Sequence, residues 1–152
     1  MSIRAYKYVS PLIIYAGAWH SFNVTGWQIW LPLIWAWIFI PLIELLLKPS
    51  PVNMSAAEEE LAKKDRTYDI LLYLIVILQY LLLVKFLIGM SAEGMKLTDS
   101  IGRIWVMGLL CGTFGINVGH ELGHRVNKLE QTLAKALLLT SLYMHFFTEH
   151  NK

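Results

Sequence analysis

Residues 68–90 read YDILLYLIVILQYLLLVKFLIGM. A helix rises about 1.5 Å per residue, so about 20 apolar residues cross the roughly 30 Å of hydrocarbon in a bilayer. This run is long enough and apolar enough to do so. Outward from it lie three more apolar stretches. Residues 27–47 are strongly apolar, with Glu44 near the end, and residues 101–119 form a third candidate span. Residues 5–22 are the weakest, interrupted by Lys7, Pro11 and His20, and read as a retained first span because no small-residue cleavage site follows.

Composition points the same way. Of the 152 residues 56% are hydrophobic and only 16% charged, against roughly 25% charged in an ordinary soluble domain. Those values exclude a disordered chain. The net charge of +2 is too small and too scattered for a nucleic-acid binder, so no nucleic acid is expected as a partner. The single cysteine, Cys111, excludes a disulfide framework, a four-cysteine zinc site or an iron–sulfur centre within this sequence. The expected fold is an all-α, integral-membrane helical bundle with about four transmembrane helices.

Lys and Arg set the orientation. Arg4 and Lys7 precede the first span, and residues 21–26 carry none. Lys48, Lys63, Lys64 and Arg66 fill the second connection, and residues 91–100 hold only Lys96. Arg125, Lys128 and Lys135 follow the fourth span. The alternation assigns both termini to the cytoplasm. Lys85 and Arg103 then lie near outer span ends, where long side chains snorkel to the headgroups. Trp27 and Trp30 fit an interfacial belt, while Trp35 and Trp37 lie deeper, against lipid or helix or along a substrate channel. The polar linker 48–67 has a capping-box spacing, Ser55 to Glu58, that opens a short amphipathic helix.

Four of the five histidines, His120, His124, His145 and His150, fall after the fourth span. His120 and His124 are four residues apart, so both imidazoles leave one helix face and can reach one ion. Asn117, Glu121 and Glu149 are available to orient the rings. The string His120-Glu121-Leu122-Gly123-His124 also satisfies the zinc-protease pattern, with Glu121 as general base, so a membrane zinc metalloprotease stays open. Residues 128–147 read as one helix lying in or just entering the membrane, bringing His150 back to the same face. Gly108, Gly112, Gly115, Gly119 and Gly123 read as one stripe that lets helices pack closely. Cys111 reads as a small packing residue, and His145 as a helix-surface residue beside Glu149.

The runs NVGHELGHRVNK and SLYMHFFTEHNK together resemble the integral-membrane alkane 1-monooxygenases, part of the wider membrane fatty acid desaturase and hydroxylase group with histidine boxes. The first box, with its following basic residue, matches His120 to Arg125. The second matches Glu149-His150-Asn151-Lys152, where the family pattern continues into a histidine pair. The resemblance implies metal ligation by His120, His124 and His150 and a non-haem di-iron centre of two iron ions. It implies terminal hydroxylation of an apolar alkane by O2. Electrons would come from a rubredoxin-type donor with its reductase, since one cysteine cannot supply four thiolates. The implied setting is a multi-pass protein in the bacterial inner (plasma) membrane, surrounded by membrane lipid, with the boxes on the cytoplasmic side. Three matched ligands do not fill two iron sites. Residues 1–152 are therefore expected to be the N-terminal part of a longer hydroxylase domain, truncated in the second box and inactive alone. A fatty acid desaturase or hydroxylase is the near alternative.

Overall fold

The structure is a computed structural model that describes residues 11–47 and 66–150; the expected linker helix at Ser55 lies outside them. The described residues are helical, with no strand among them. Helix α1 is Pro11–Ser21, α2 is Gly26–Leu46, α3 is Thr67–Met90 and α4 is Leu97–Gly123. Helices α5, Lys128–Thr140, and α6, His145–His150, follow. Among the described residues three helices, α2, α3 and α4, are long and apolar enough to cross a membrane. The first expected span is described only as α1, its first residues lying outside. The protein is an all-α membrane bundle.

Successive helices alternate in direction, as the charge pattern requires. At one end Lys85 Nζ donates to Asn23 Oδ1 at 2.7 Å, Gly26 N to Asp99 Oδ1 at 3.1 Å, and Arg103 Nη2 to the Val24 carbonyl at 3.1 Å. These bonds gather the α1–α2 connection, the end of α3 and the start of α4. His20 stands here, exposed, far along the chain from the other histidines. At the opposite end Arg125 Nη1 meets Asp69 Oδ1 at 3.0 Å, joining the end of α4 to the start of α3.

Two spans contain a turn wider than an α-helix. In α2 it covers Trp35–Phe39 and ends two residues before Pro41. Proline has no N–H and its ring clashes with the carbonyl four residues back, here Trp37, so the backbone widens locally. In α4 it covers Cys111–Ile116, where the Asn117 amide donates to the Thr113 carbonyl at 2.8 Å.

The widened turn splits the glycine stripe. A Cβ on Gly115 would meet Thr140 Oγ1 at 3.2 Å, and one on Gly119 would meet Leu138 Cγ at 3.2 Å. Both lie against α5. Gly108 and Gly112 face open space instead and line a groove of about 430 Å³ with Trp37, Ile104, Trp105, Leu109 and Thr113. The expected single seam is thus confined to Gly115, near the end of the widened turn, and Gly119, just past it. Trp37 lines the groove, whereas Trp35 stacks on Phe39.

Helix α5 packs beside the first half of α3. Tyr73 Oη donates to Glu130 Oε1 at 2.7 Å and Tyr80 Oη to the Ala136 carbonyl at 2.8 Å. The fully buried Gln79 reaches Thr140 Oγ1 at 3.4 Å. The end of α5 is therefore level with the middle of the α3 span. A helix end at that depth exposes carbonyls that lipid cannot satisfy, and each has a partner. Tyr80 takes Ala136, Thr140 Oγ1 takes Leu137 at 2.7 Å, and Ser141 Oγ takes Leu138 at 3.0 Å. Cys111 Sγ takes Thr140 at 3.4 Å, so this thiol does more than fill space.

The helix expected over residues 128–147 breaks after Thr140. Leu142 N donates to Leu139 O and Tyr143 N to Leu138 O, both at 2.9 Å. This is the paired-bond helix stop that ordinarily places glycine in the left-handed region. Leu142 adopts it, with φ 54°. Glu149 and His150 of the second histidine box consequently sit on α6, a separate helix turned back toward α4.

In the complete, metal-free protein, Gly119→Val should lower stability by about 1–3 kcal/mol through overpacking against α5. Gly112→Val, pointing into open space, should stay within about 0.5 kcal/mol of the parent. Thermal unfolding in detergent measures both, and equal losses would restore the single-seam reading.

Candidate metal centre

His120 lies in the last turn of α4 and His124 caps its end, with the His124 N–H donating to the His120 carbonyl at 3.3 Å. His150 ends α6. The turn at 141–144 brings it over the other two. The three Nε2 atoms form a near-equilateral triangle: His120 to His124 and His120 to His150 are each 2.8 Å, and His124 to His150 is 3.1 Å. Ring centres stand farther apart, at 4.6, 4.5 and 5.0 Å, so the nitrogens point inward. His120 is half-buried, while His124 and His150 open to solvent on one side.

Hydrogen bonding does not explain this triangle. An Nε2 either carries a proton or offers a lone pair. Among three atoms with two roles, at least one pair must set proton against proton or lone pair against lone pair. A cation at the centre removes the conflict. A metal–imidazole bond of about 2.1 Å places two nitrogens about 3.0 Å apart at right angles and about 3.4 Å apart at the tetrahedral angle. The observed separations fit the right-angled set, which leaves the opposite face for other ligands. The trio can hold a metal ion.

The aromatic neighbours hold α6 in place. Phe146 stacks on His150 with centroids 4.9 Å apart and planes 12° apart, and meets the edge of His120 at 5.7 Å. Tyr143 continues the stack at 5.4 Å. Lys135 Nζ lies 4.5 Å from the Phe147 ring centre, tying α6 to α5. Phe146 was not singled out in the sequence, though its place one turn before His150 was the available signal.

Other expected participants are turned elsewhere. Asn117 bonds back to its own helix. Glu121 Oε1 pairs with Arg125 Nη2 at 3.3 Å and is not part of the imidazole trio. His145 packs against Tyr143 at 4.6 Å, outside the trio. Glu44 is exposed on α2 and outside the trio as well. Arg125 itself is surrounded by acid. Burial disfavours its charge, but the hydrogen bond and charge of Asp69, with Glu121 and Glu130, more than compensate and raise its pKa.

No protein-family profile matches the chain. Individual relatives do. The chain is 33% identical over 130 residues to alkane 1-monooxygenase 1 of Alcanivorax borkumensis, covering 84% of this chain and 32% of that protein. It is 32% identical over 145 residues to alkane 1-monooxygenase of Pseudomonas putida, covering 94% of this chain and 35% of that protein. Against the Ectopseudomonas oleovorans alkane 1-monooxygenase it is 30% identical over the same share. Over most of its own length the chain is thus related to alkane 1-monooxygenases. It spans about a third of the length of the curated family members it matches. Within the alkane 1-monooxygenase family, a histidine cluster able to hold a metal is in keeping with a metal-dependent protein.

Replacing Phe146 by Ala removes the ring stacked on His150. Aromatic pairs contribute about 0.5–1.5 kcal/mol, so metal affinity of the complete protein should fall about 2–10-fold. Equilibrium metal competition would measure this, and unchanged affinity would show that α6 is held without the stack.

Proposed function

We propose that this chain is the N-terminal part of a membrane di-iron monooxygenase that hydroxylates the terminal carbon of alkanes. The observation that carries the proposal is the inward triangle of His120, His124 and His150 Nε2 atoms in a chain related to alkane 1-monooxygenases. Neutral imidazoles suit iron among the first-row metals. Bound iron supplies the one-electron and O2 chemistry that breaks an unactivated C–H bond, with one oxygen atom entering the substrate and the other leaving as water. Three imidazoles serve one ion, and we assign the remaining ligands to the rest of the protein, consistent with the greater length of the relatives.

The residues described have definable tasks. His120, His124 and His150 hold the metal through Nε2, and Phe146 fixes the plane of the His150 ring. Their open side leaves room for the ligands still required. The apolar groove lined by Trp37, Trp105 and Gly112 opens between α2 and α4 within the spans. An alkane dissolved in the bilayer can enter there without crossing water. On this reading electrons come from a rubredoxin-type donor served by a reductase, and the single thiol of these 152 residues builds no four-thiolate iron site of its own. The charge alternation supports the inner membrane with the histidines cytoplasmic, where a soluble donor reaches them.

The zinc-protease alternative requires Glu121 to face the metal as general base. Its pairing with Arg125 supports the oxygenase instead.

The complete enzyme should purify with iron and convert octane to octanol only with O2 and a reduced rubredoxin-type donor. His124→Ala should lose iron and turnover. Glu121→Gln should retain measurable turnover, because a residue that only supports ligand orientation costs about 10–100-fold. Zinc-dependent peptide cleavage abolished by Glu121→Gln would overturn the reading. A topology reporter fused after Asn127 should report the cytoplasm, and one fused within residues 91–100 the opposite side. The reverse result would contradict the charge-based orientation.

A further inference from the structure

We infer that Asp69, at the start of α3, is a positioning residue for the metal centre, acting through Arg125 on the end of the helix that carries His124. The inference rests on metal binding by the three imidazoles, proposed above, and is independent of the substrate.

The helix hydrogen bonding of α4 runs out where precision is needed. The His124 N–H still reaches the His120 carbonyl, at 3.3 Å, but the next amide, Arg125 N, bonds only three residues back, to Leu122 O at 3.3 Å. His124 is exposed and nothing on its own helix follows it. The terminal turn of a helix frays unless something outside holds it. Here the outside support centres on Arg125, through its guanidinium and its carbonyl. Arg125 Nη1 reaches Asp69 Oδ1 at 3.0 Å and Glu130 Oε1 at 3.9 Å, while Nη2 reaches Glu121 Oε1 at 3.3 Å. Tyr73 Oη donates to Glu130 Oε1 at 2.7 Å, and Gln131 Nε2 donates to the Arg125 carbonyl at 2.9 Å.

The arrangement joins three helix ends whose dipoles suit the charges they carry. Asp69 lies in the first turn of α3 and Glu130 in the first turn of α5, both positive dipole ends. Arg125 follows the negative end of α4. Each charge is stabilised where it stands, and the rigid guanidinium fork fixes the three ends relative to one another. Arg125 and Asp69 are 34% and 33% exposed, so their pair contributes little to global stability. Its effect is local: it sets the direction of the His124 ring. Asp69 lies 56 residues before Arg125 and belongs to neither histidine box.

A double-mutant cycle on the complete protein tests this, with ferrous iron alone as the ligand. Asp69→Asn keeps the side chain's shape and removes its charge. It should weaken iron binding by about 10–100-fold, as for loss of a group that orients a metal ligand. The melting temperature of the metal-free protein should stay near the parent's. Asp69→Glu should restore most of the affinity. Arg125→Gln should weaken binding by itself, and adding Asp69→Asn to it should cost little more, because the two act as one unit. With cobalt(II) as a spectroscopic probe, Asp69→Asn should alter the visible bands that report ligand geometry. An equal loss from Asp69→Asn in the parent and Arg125→Gln backgrounds would overturn the inference. Iron binding that depends on His124 but ignores Asp69→Asn would also overturn it while leaving the metal centre intact. Binding indifferent to His124→Ala would refute the metal centre itself.

Discussion

Helix α5 lies against α4 because Gly115 and Gly119 present no side chain where the two backbones meet. A Cβ at Gly119 would stand 3.3 Å from the Ala134 carbonyl oxygen, closer than ordinary van der Waals contact, so any larger residue pushes α5 away. The consequences run outward from that contact. Close packing carries α5 down beside α3 to the level of Gln79, where its last carbonyls must find partners without water. Tyr80, Thr140, Ser141 and Cys111 supply them. With the end of α5 fixed, the left-handed turn at Leu142 returns the chain toward α4 and delivers His150 to His120 and His124. The imidazole cluster is thus positioned by the helix packing that begins beside it, at Gly115 and Gly119.

Much of this was legible in the sequence because the signals were long or redundant. The runs at 27–47, 68–90 and 101–119 could hardly be anything but spans, and the ends of the observed helices α2, α3 and α4 fall within four residues of them. The His120–His124 spacing, with a second box around His150, indicated that three imidazoles could meet on one face, and they do. Other features left weak signals or none. Residues 141–144 contain neither glycine nor proline, so nothing marked the break in the return helix; Leu142 takes a conformation its side chain disfavours because the buried carbonyls of α5 require the bonds it makes possible. The widened turn of α4 rotates Gly108 and Gly112 away from Gly115 and Gly119, which a regular helical projection cannot anticipate. Glu121 looked available to the imidazoles until Arg125 claimed it. The Asp69–Arg125 pair spans 56 residues, although acid at two helix starts and base after a helix end were readable in the sequence.

The two sides of the bundle differ in kind. One end is tied by bonds among Lys85, Asn23, Asp99 and Arg103, which fix the connections between spans. The other gathers three helix termini around Arg125, and the imidazole triangle stands beside them. Between the ends, the apolar groove beside Trp37 and Trp105 lies between α2 and α4. In the function we propose, an apolar substrate would enter from the groove and a water-soluble electron donor would approach the imidazole end.

The central claim is that imidazoles from α4 and α6 converge on one metal ion. X-ray absorption at the iron edge of the complete, iron-loaded protein measures this most directly. The account expects nitrogen and oxygen neighbours at about 2.1 Å, with the outer-shell scattering of imidazole rings, and a loss of ring scattering when His150 is replaced by Ala. A sulfur shell at about 2.3 Å, or imidazole scattering unchanged in His150→Ala, would contradict it.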